Sequence, residues 1–238
     1  MRAPWLWLLG AACSSDQTIT IRGYVGYSPL GGYISEGTVA IRDADGLSFD
    51  KADLSMDGFK VKAPVQQRIY AEIEAPDAAM ASFTGATGTE NMTLTDNELF
   101  SFPVSQLNEL REEFAGCAGV DSDGGVVLGI TVFDGINESD TGDPAKVTNA
   151  TAMVTTADGT EFRACYRDAE GTAYDPEADA TGNSGFFAIF GVPSGLQTLT
   201  VTYQPAPGES ALTYADLYVP TGPDAVIPRY PQWIESPF

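Results

Sequence analysis

Cysteines and carboxylates carry nearly all the chemical prospects of this 238-residue sequence, because it contains no histidine. Without an imidazole, no side chain of ordinary pKa near neutrality can act as general base, and the commonest transition-metal ligand is missing. Ser-His-Asp and Cys-His catalysis are excluded, as are zinc sites of the usual His-containing kinds. Carboxylate-only, Ser-Lys and metal–carboxylate chemistry are left open. No carboxylate pair stands out for glycoside hydrolysis, however, and no aromatic-lined cleft is foreseen. The chain is therefore expected to be no enzyme.

The acidic loops are the only stretches with ligand-binding character. Asp134, Asn137, Glu138, Asp140 and Asp143 crowd one loop, the strongest candidate for calcium, which takes six to eight oxygens. Asp121 with Asp123, Asp43 with Asp45, and Asp175 with Glu177 and Asp179 form smaller groups. None completes the calcium-loop pattern of alternating acids, glycine and a distal Glu, so solvated turn carboxylates are the competing reading at each. No cofactor is expected, calcium being the one ion those oxygens would suit. The net charge of −21, from 33 acidic against 12 basic residues, repels phosphate backbones. No nucleic-acid partner is expected.

Cys13 follows Arg2, an apolar stretch from Trp5 to Leu9 and the small residues Gly10, Ala11 and Ala12. A polar tract, Ser14 to Gln17, comes next. This segment resembles the bacterial lipoprotein signal, in which the cysteine after small residues is acylated and becomes the new N-terminus. The resemblance implies a signal peptide over 1–12, lipid on Cys13, a tether over 13–17 and a membrane anchor. Ser14 beside the cysteine implies the outer membrane. Cys117 and Cys165 then remain, and in an oxidising cell envelope two leftover cysteines are expected to pair, separate buried thiols being the alternative.

From Thr18 the patterning is that of short strands, with β-branched residues and apolar–polar alternation. Strands are expected over 18–22, 38–41, 59–62, 68–74, 126–132, 152–156 and 199–203. The Ala44-Asp45-Gly46 turn recurs as Ala157-Asp158-Gly159, and Asp57-Gly58-Phe59 is answered by Ser184-Gly185-Phe186. The glycines lie 12 residues apart in the first case and 26 in the second, so a loop insertion must separate two diverged copies of one unit. Chance recurrence of turn residues is the competing reading. Between the copies, Leu107, Leu110 and Phe114 share one helical face, with Ser105 placed to cap the helix and Gly116 to end it. The expected fold is all-β: two small β-sandwich domains over 18–104 and 117–238, joined by a short helix over 105–116. The aromatic and proline-rich run from Tyr230 to Phe238 is expected to fold back on the second domain rather than trail as a docking tail.

Over 125–203, Asn149-Ala150, Ser184-Gly185-Phe186 and Val192-Pro193-Ser194-Gly195 fall in an order similar to that of the carboxypeptidase regulatory-like family. The resemblance implies a transthyretin-like β-sandwich with an accessory role and no catalytic residues. The resulting expectation is a non-catalytic lipoprotein of the cell envelope, its domains binding or scaffolding a protein or glycan partner. A calcium-dependent adhesion or carbohydrate-binding module is the alternative.

Overall fold

The computed structural model describes residues 17–27, 31–94, 99–137, 144–206 and 209–234. Cys13, and Glu138, Asp140 and Asp143 of the acidic loop, lie outside them. Asp134 and Asn137 are described in their backbone alone.

The chain is all-β apart from one helix. The first half supplies β1 (Thr18–Gly23), β2 (Gly26–Tyr27), β3 (Thr38–Arg42), β4 (Ser48–Asp53), β5 (Phe59–Pro64), β6 (Arg68–Glu74), β7 (Met80–Ala86), β8 (Met92–Thr93) and β9 (Phe100–Ser101). The helix α1 (Val104–Glu113) follows. The second half supplies β10 (Gly125–Asn137), β11 (Pro144–Lys146), β12 (Ala150–Thr155), β13 (Glu161–Arg163), β14 (Cys165–Arg167), β15 (Tyr174–Asp175), β16 (Phe186–Val192), β17 (Gly195–Ala206), β18 (Glu209–Val219) and β19 (Ala225–Ile234).

The strand pairings of the two halves match. β1 pairs antiparallel with β5 and parallel with β8, while β3 pairs with β4 and β6, and β6 with β7. Likewise β10 pairs antiparallel with β16 and parallel with β19, while β12 pairs with β13 and β17, and β17 with β18. Each half is thus a two-layered sandwich of one topology. The β14–β15 hairpin is the insertion that lengthens the second copy. Gly46 and Gly159 occupy the same turn in each copy at φ +78° and +85°, a conformation that glycine adopts without steric cost.

One sheet of each sandwich joins the other edge to edge. β7 and β19 pair in parallel at Met80↔Ala225 and Ala81↔Val226, giving a ten-stranded sheet that runs through both halves. The run from Tyr230 to Ile234 is accordingly built into a strand, and residues 235–238 lie outside the described ones. β19 runs beside β10 to Ile234, and a register shift opposite Ile130 accommodates Tyr230 and Pro231. A bulge is where a strand tolerates a residue without an amide hydrogen.

Strands β10 and β16 are covered on both faces, which is why Val126-Val127-Leu128 and Phe187-Ala188-Ile189-Phe190 read as unbroken apolar runs. Val127, Phe187 and Ile189 face the second sandwich's interior with Val154, Leu199 and Leu217. Val126, Leu128, Ala188 and Phe190 face the other way and share a core with the first sandwich and with Leu107, Phe114 and Cys117.

The helix differs from expectation at both ends. Pro103, not Ser105, is its N-cap, and no side chain caps it. The carbonyl of Pro103 accepts from the amides of Gln106 (3.0 Å) and Leu107 (3.2 Å), and the Val104 amide donates to Asp77 O (3.2 Å). Ser105 therefore lies inside the first turn. The helix stops at Glu113, not 116, because Phe114 leaves the helical conformation to bury its ring. Leu107 and Phe114 are buried as their spacing predicts, while Leu110 is half-buried.

Candidate functional site: a groove beside the helix

The outer face of β10 and β16 is not wholly covered. Alongside α1 an open groove of about 970 Å³ remains, at the upper end of the range for small-ligand sites. Leu128, Gly129 and Ile130 of β10 and Phe186 of β16 line it. On one side α1 presents Gln106, Glu109, Leu110 and Glu113, a spacing that puts all four on a single helical face. On the other side the first sandwich contributes Tyr27, Tyr33, Phe100 and Phe102.

The aromatic side is braced by ring contacts. Tyr33 lies 5.0 Å from Tyr24 between centroids, and Phe100 lies 5.3 Å from Phe83 and 5.8 Å from Phe102. Tyr33 is nonetheless 52% exposed, uncommon for so large a ring.

Among the described residues one cation lines the groove, and its charge is already matched. Arg167 donates from Nε and Nη2 to both carboxylate oxygens of Glu113, at 2.7 and 2.9 Å, while its guanidinium sits 4.6 Å from the centroid of Phe186. This fork-on-carboxylate geometry leaves little positive charge for a ligand. Glu109 is exposed on the same helical face.

The C-terminal end of α1 is clamped. Phe114 packs against Tyr174, Phe186 and Phe190 at 5.1, 5.9 and 5.8 Å. Three residues later Cys117 is bonded to Cys165, with a Cα–Cα distance of 6.2 Å. Cys165 and Arg167 both belong to β14, so the inserted hairpin holds the helix twice, by the disulfide and by the Glu113 ion pair.

The acidic turns are engaged in their own backbones. Asp43 Oδ1 accepts from the amides of Asp45 (3.0 Å) and Leu47 (2.9 Å), and Asp175 Oδ1 from that of Glu177 (2.9 Å). The hydroxyl of Thr156 and the amide of Thr160 donate to Asp158, holding its carboxyl below the usual range. Among the described residues, no three Cys, Asp or Glu side chains gather where they would hold a metal ion.

A second, shallower hollow of about 710 Å³ lies where the sandwiches meet, lined by Arg68, Thr155, Gln197, Thr198 and Asp216 among others. Its polar groups bond mainly to one another: Arg68 pairs with Asp216, which also accepts from Thr198. Nearby, Arg42 forks onto Glu72 and lies 4.5 Å from the ring centroid of Tyr218, whose phenol burial pushes up. These contacts fasten one sandwich to the other.

The aromatic-lined groove was not foreseen in the sequence. Its residues come from six separated stretches, and the one local signal is the run from Gly23 to Tyr33, with four tyrosine or valine side chains among repeated glycines. Gly-rich segments carrying tyrosines are typical of binding loops.

No known family matches the chain, and no curated protein matches it. Among solved structures, the shaft pilin spaA of Lactobacillus rhamnosus GG aligns over 93% of this chain and 98% of its own, at 9% identity and a TM-score of 0.27. The group B streptococcus pilus 2b backbone protein aligns over 92% and 91%, at 11% identity and 0.30. The Bacillus anthracis TIE protein aligns over 91% of this chain but 33% of its own length, at 11% identity and 0.28. Superpositions this partial transfer no function.

Proposed function

We propose that this chain is a non-catalytic binding protein of an oxidising, extracytoplasmic compartment, and that the groove beside α1 is the surface by which it takes hold of an apolar ligand segment. The groove itself carries this reading. An open trough lined by aliphatic and aromatic side chains, at a junction between domains and with few polar groups, is where ligands are characteristically bound. The Cys117–Cys165 bond supports the compartment, because structural disulfides persist outside the reducing cytoplasm. The finer reading, a lipoprotein held at the outer membrane through Cys13, belongs to the same proposal and rests on the residues around that cysteine. Mass spectrometry of the membrane fraction tests it, and an unmodified N-terminus upstream of Cys13 would refute it.

The groove is tested with Nile red, a neutral apolar dye. Saturable one-to-one binding with blue-shifted emission is expected. Leu110→Glu, at a half-buried helix position, should abolish the binding without unfolding the protein. Absence of saturable binding, or binding undiminished in the folded variant, would overturn the assignment.

A further inference from the structure

Resting on that reading of the groove, we infer that its occupant is a peptide segment of a protein partner that combines apolar side chains with a lysine or arginine, the cation seating between Glu109 and the tyrosines of the opposite rim.

Three features of the groove select this chemistry. The first is the state of its charges. Arg167 is committed in a two-bond fork to Glu113, so among the described residues no free cation lines the groove to meet a carboxylate, phosphate or sulfate. Glu109, one helical turn from Glu113 on the same face, is exposed at the groove and supplies a net negative charge. The chain as a whole carries −21, which disfavours an anionic ligand at longer range.

The second is the facing rim. Tyr27 and Tyr33 line this rim, and Tyr33 is more than half exposed. An aromatic face attracts a cation through its quadrupole, more strongly where water is partly excluded. The molecule already makes this contact twice internally, with Arg42 on Tyr218 and Arg167 on Phe186. A carboxylate on one wall and phenol rings on the other are the two partners a lysine or arginine head would seek.

The third is the floor. Ile130 and Leu110, each half-buried, need an apolar cover. A cation alone would leave these residues wet. A peptide with neighbouring apolar and basic side chains satisfies floor and rim together.

The experiment uses two fluorescent nonapeptides of leucine, phenylalanine and glycine. One is flanked by lysines, and its twin carries glutamines at the same positions. Both are titrated into the full chain, alone and in competition with Nile red. The lysine peptide is expected to displace the dye and to bind about tenfold more tightly than its twin at low salt. The difference should shrink at 0.5 M salt, and Glu109→Lys should erase it. Equal affinity of the twins would overturn the cation inference and leave the apolar groove standing. Failure of both peptides to displace bound dye would overturn the peptide as occupant. Absence of dye binding would remove the groove reading itself, and this inference with it.

Discussion

Replacing both members of the disulfide, Cys117→Ala with Cys165→Ala, should cost the protein a large part of its stability. The cysteines are 48 positions apart in sequence. Closing a loop of that size in the unfolded chain removes about 14 cal/mol/K of conformational entropy, worth about 4 kcal/mol at 25 °C. For a chain of 238 residues, that translates into a melting temperature lower by roughly 8 °C. The bond ties the segment just after Phe114 to β14, which pairs with β15 and β16, the strands that carry the ring's neighbours, so it also restrains the contacts that hold the end of α1. Urea unfolding of the oxidised protein, the dithiothreitol-reduced protein and the double variant separates the terms. Reduction isolates the bond, whereas the variant also removes two sulfur atoms, one of them, in Cys117, only 4% exposed. A loss of about 2–4 kcal/mol on reduction is expected, together with weaker Nile red binding as the helix end loosens. A loss below about 1 kcal/mol, or free thiols at both positions in protein isolated from an oxidising compartment, would refute the reasoning.

Phe114→Ala should destabilise by about 3–5 kcal/mol, measured by denaturant unfolding, because a fully buried ring with three aromatic neighbours leaves a cavity they cannot fill. Tyr166 offers a pH test: burial pushes its phenol up to about 12, with the charge of Asp179 adding to the effect and the bond from the Ala152 amide opposing it. The unfolded chain releases this proton near pH 10 and the folded one near 12, so roughly 2–3 kcal/mol of stability should be lost between those values. Tyr166→Phe should flatten that decline while lowering stability at neutral pH, since the Ala152 amide loses its acceptor. Millimolar calcium should leave the melting temperature unchanged if the groove alone takes ligands; a rise of several degrees would instead assign a cation site to the loop around Asp134, Asn137, Glu138, Asp140 and Asp143.

The strands legible in the sequence are those that one face alone defines. Phe59, Val61 and Ala63 point inward while Lys60 and Lys62 point out, and β6 falls on the residues expected, 68–74. The duplication was visible as recurring turns, because Gly46 and Gly159 mark conformations that few residues besides glycine adopt. β7, β18 and β19 escaped notice for different reasons. Met80 to Ala86 is built of small residues with weak alternation, and β19 contains Pro228 and Pro231, which argue against a paired strand. Only tertiary structure shows that β19 opens as the seam between the sandwiches at Ala225 and Val226 and then bulges where Pro231 stands.

The groove was illegible for a deeper reason. A sequence pattern records whether a residue is covered, not what covers it. Leu128 and Ile130 alternate with Gly129 just as core residues of a strand do, and Leu110 sits on the helical face that Leu107 and Phe114 bury. Yet Leu107 and Phe114 are sealed, while Leu110 and Ile130 are only half covered. The difference arises because the first sandwich is joined to the second through β7 and β19 on one side of the sheet, while the β14–β15 insertion pulls the end of α1 toward the other. The two attachments hold the helix and the tyrosine-bearing segment apart, and the strip of sheet between them stays open. An insertion that first registers as a longer gap between two turn glycines therefore helps to frame the groove, through the bonds that β14 makes to the end of α1.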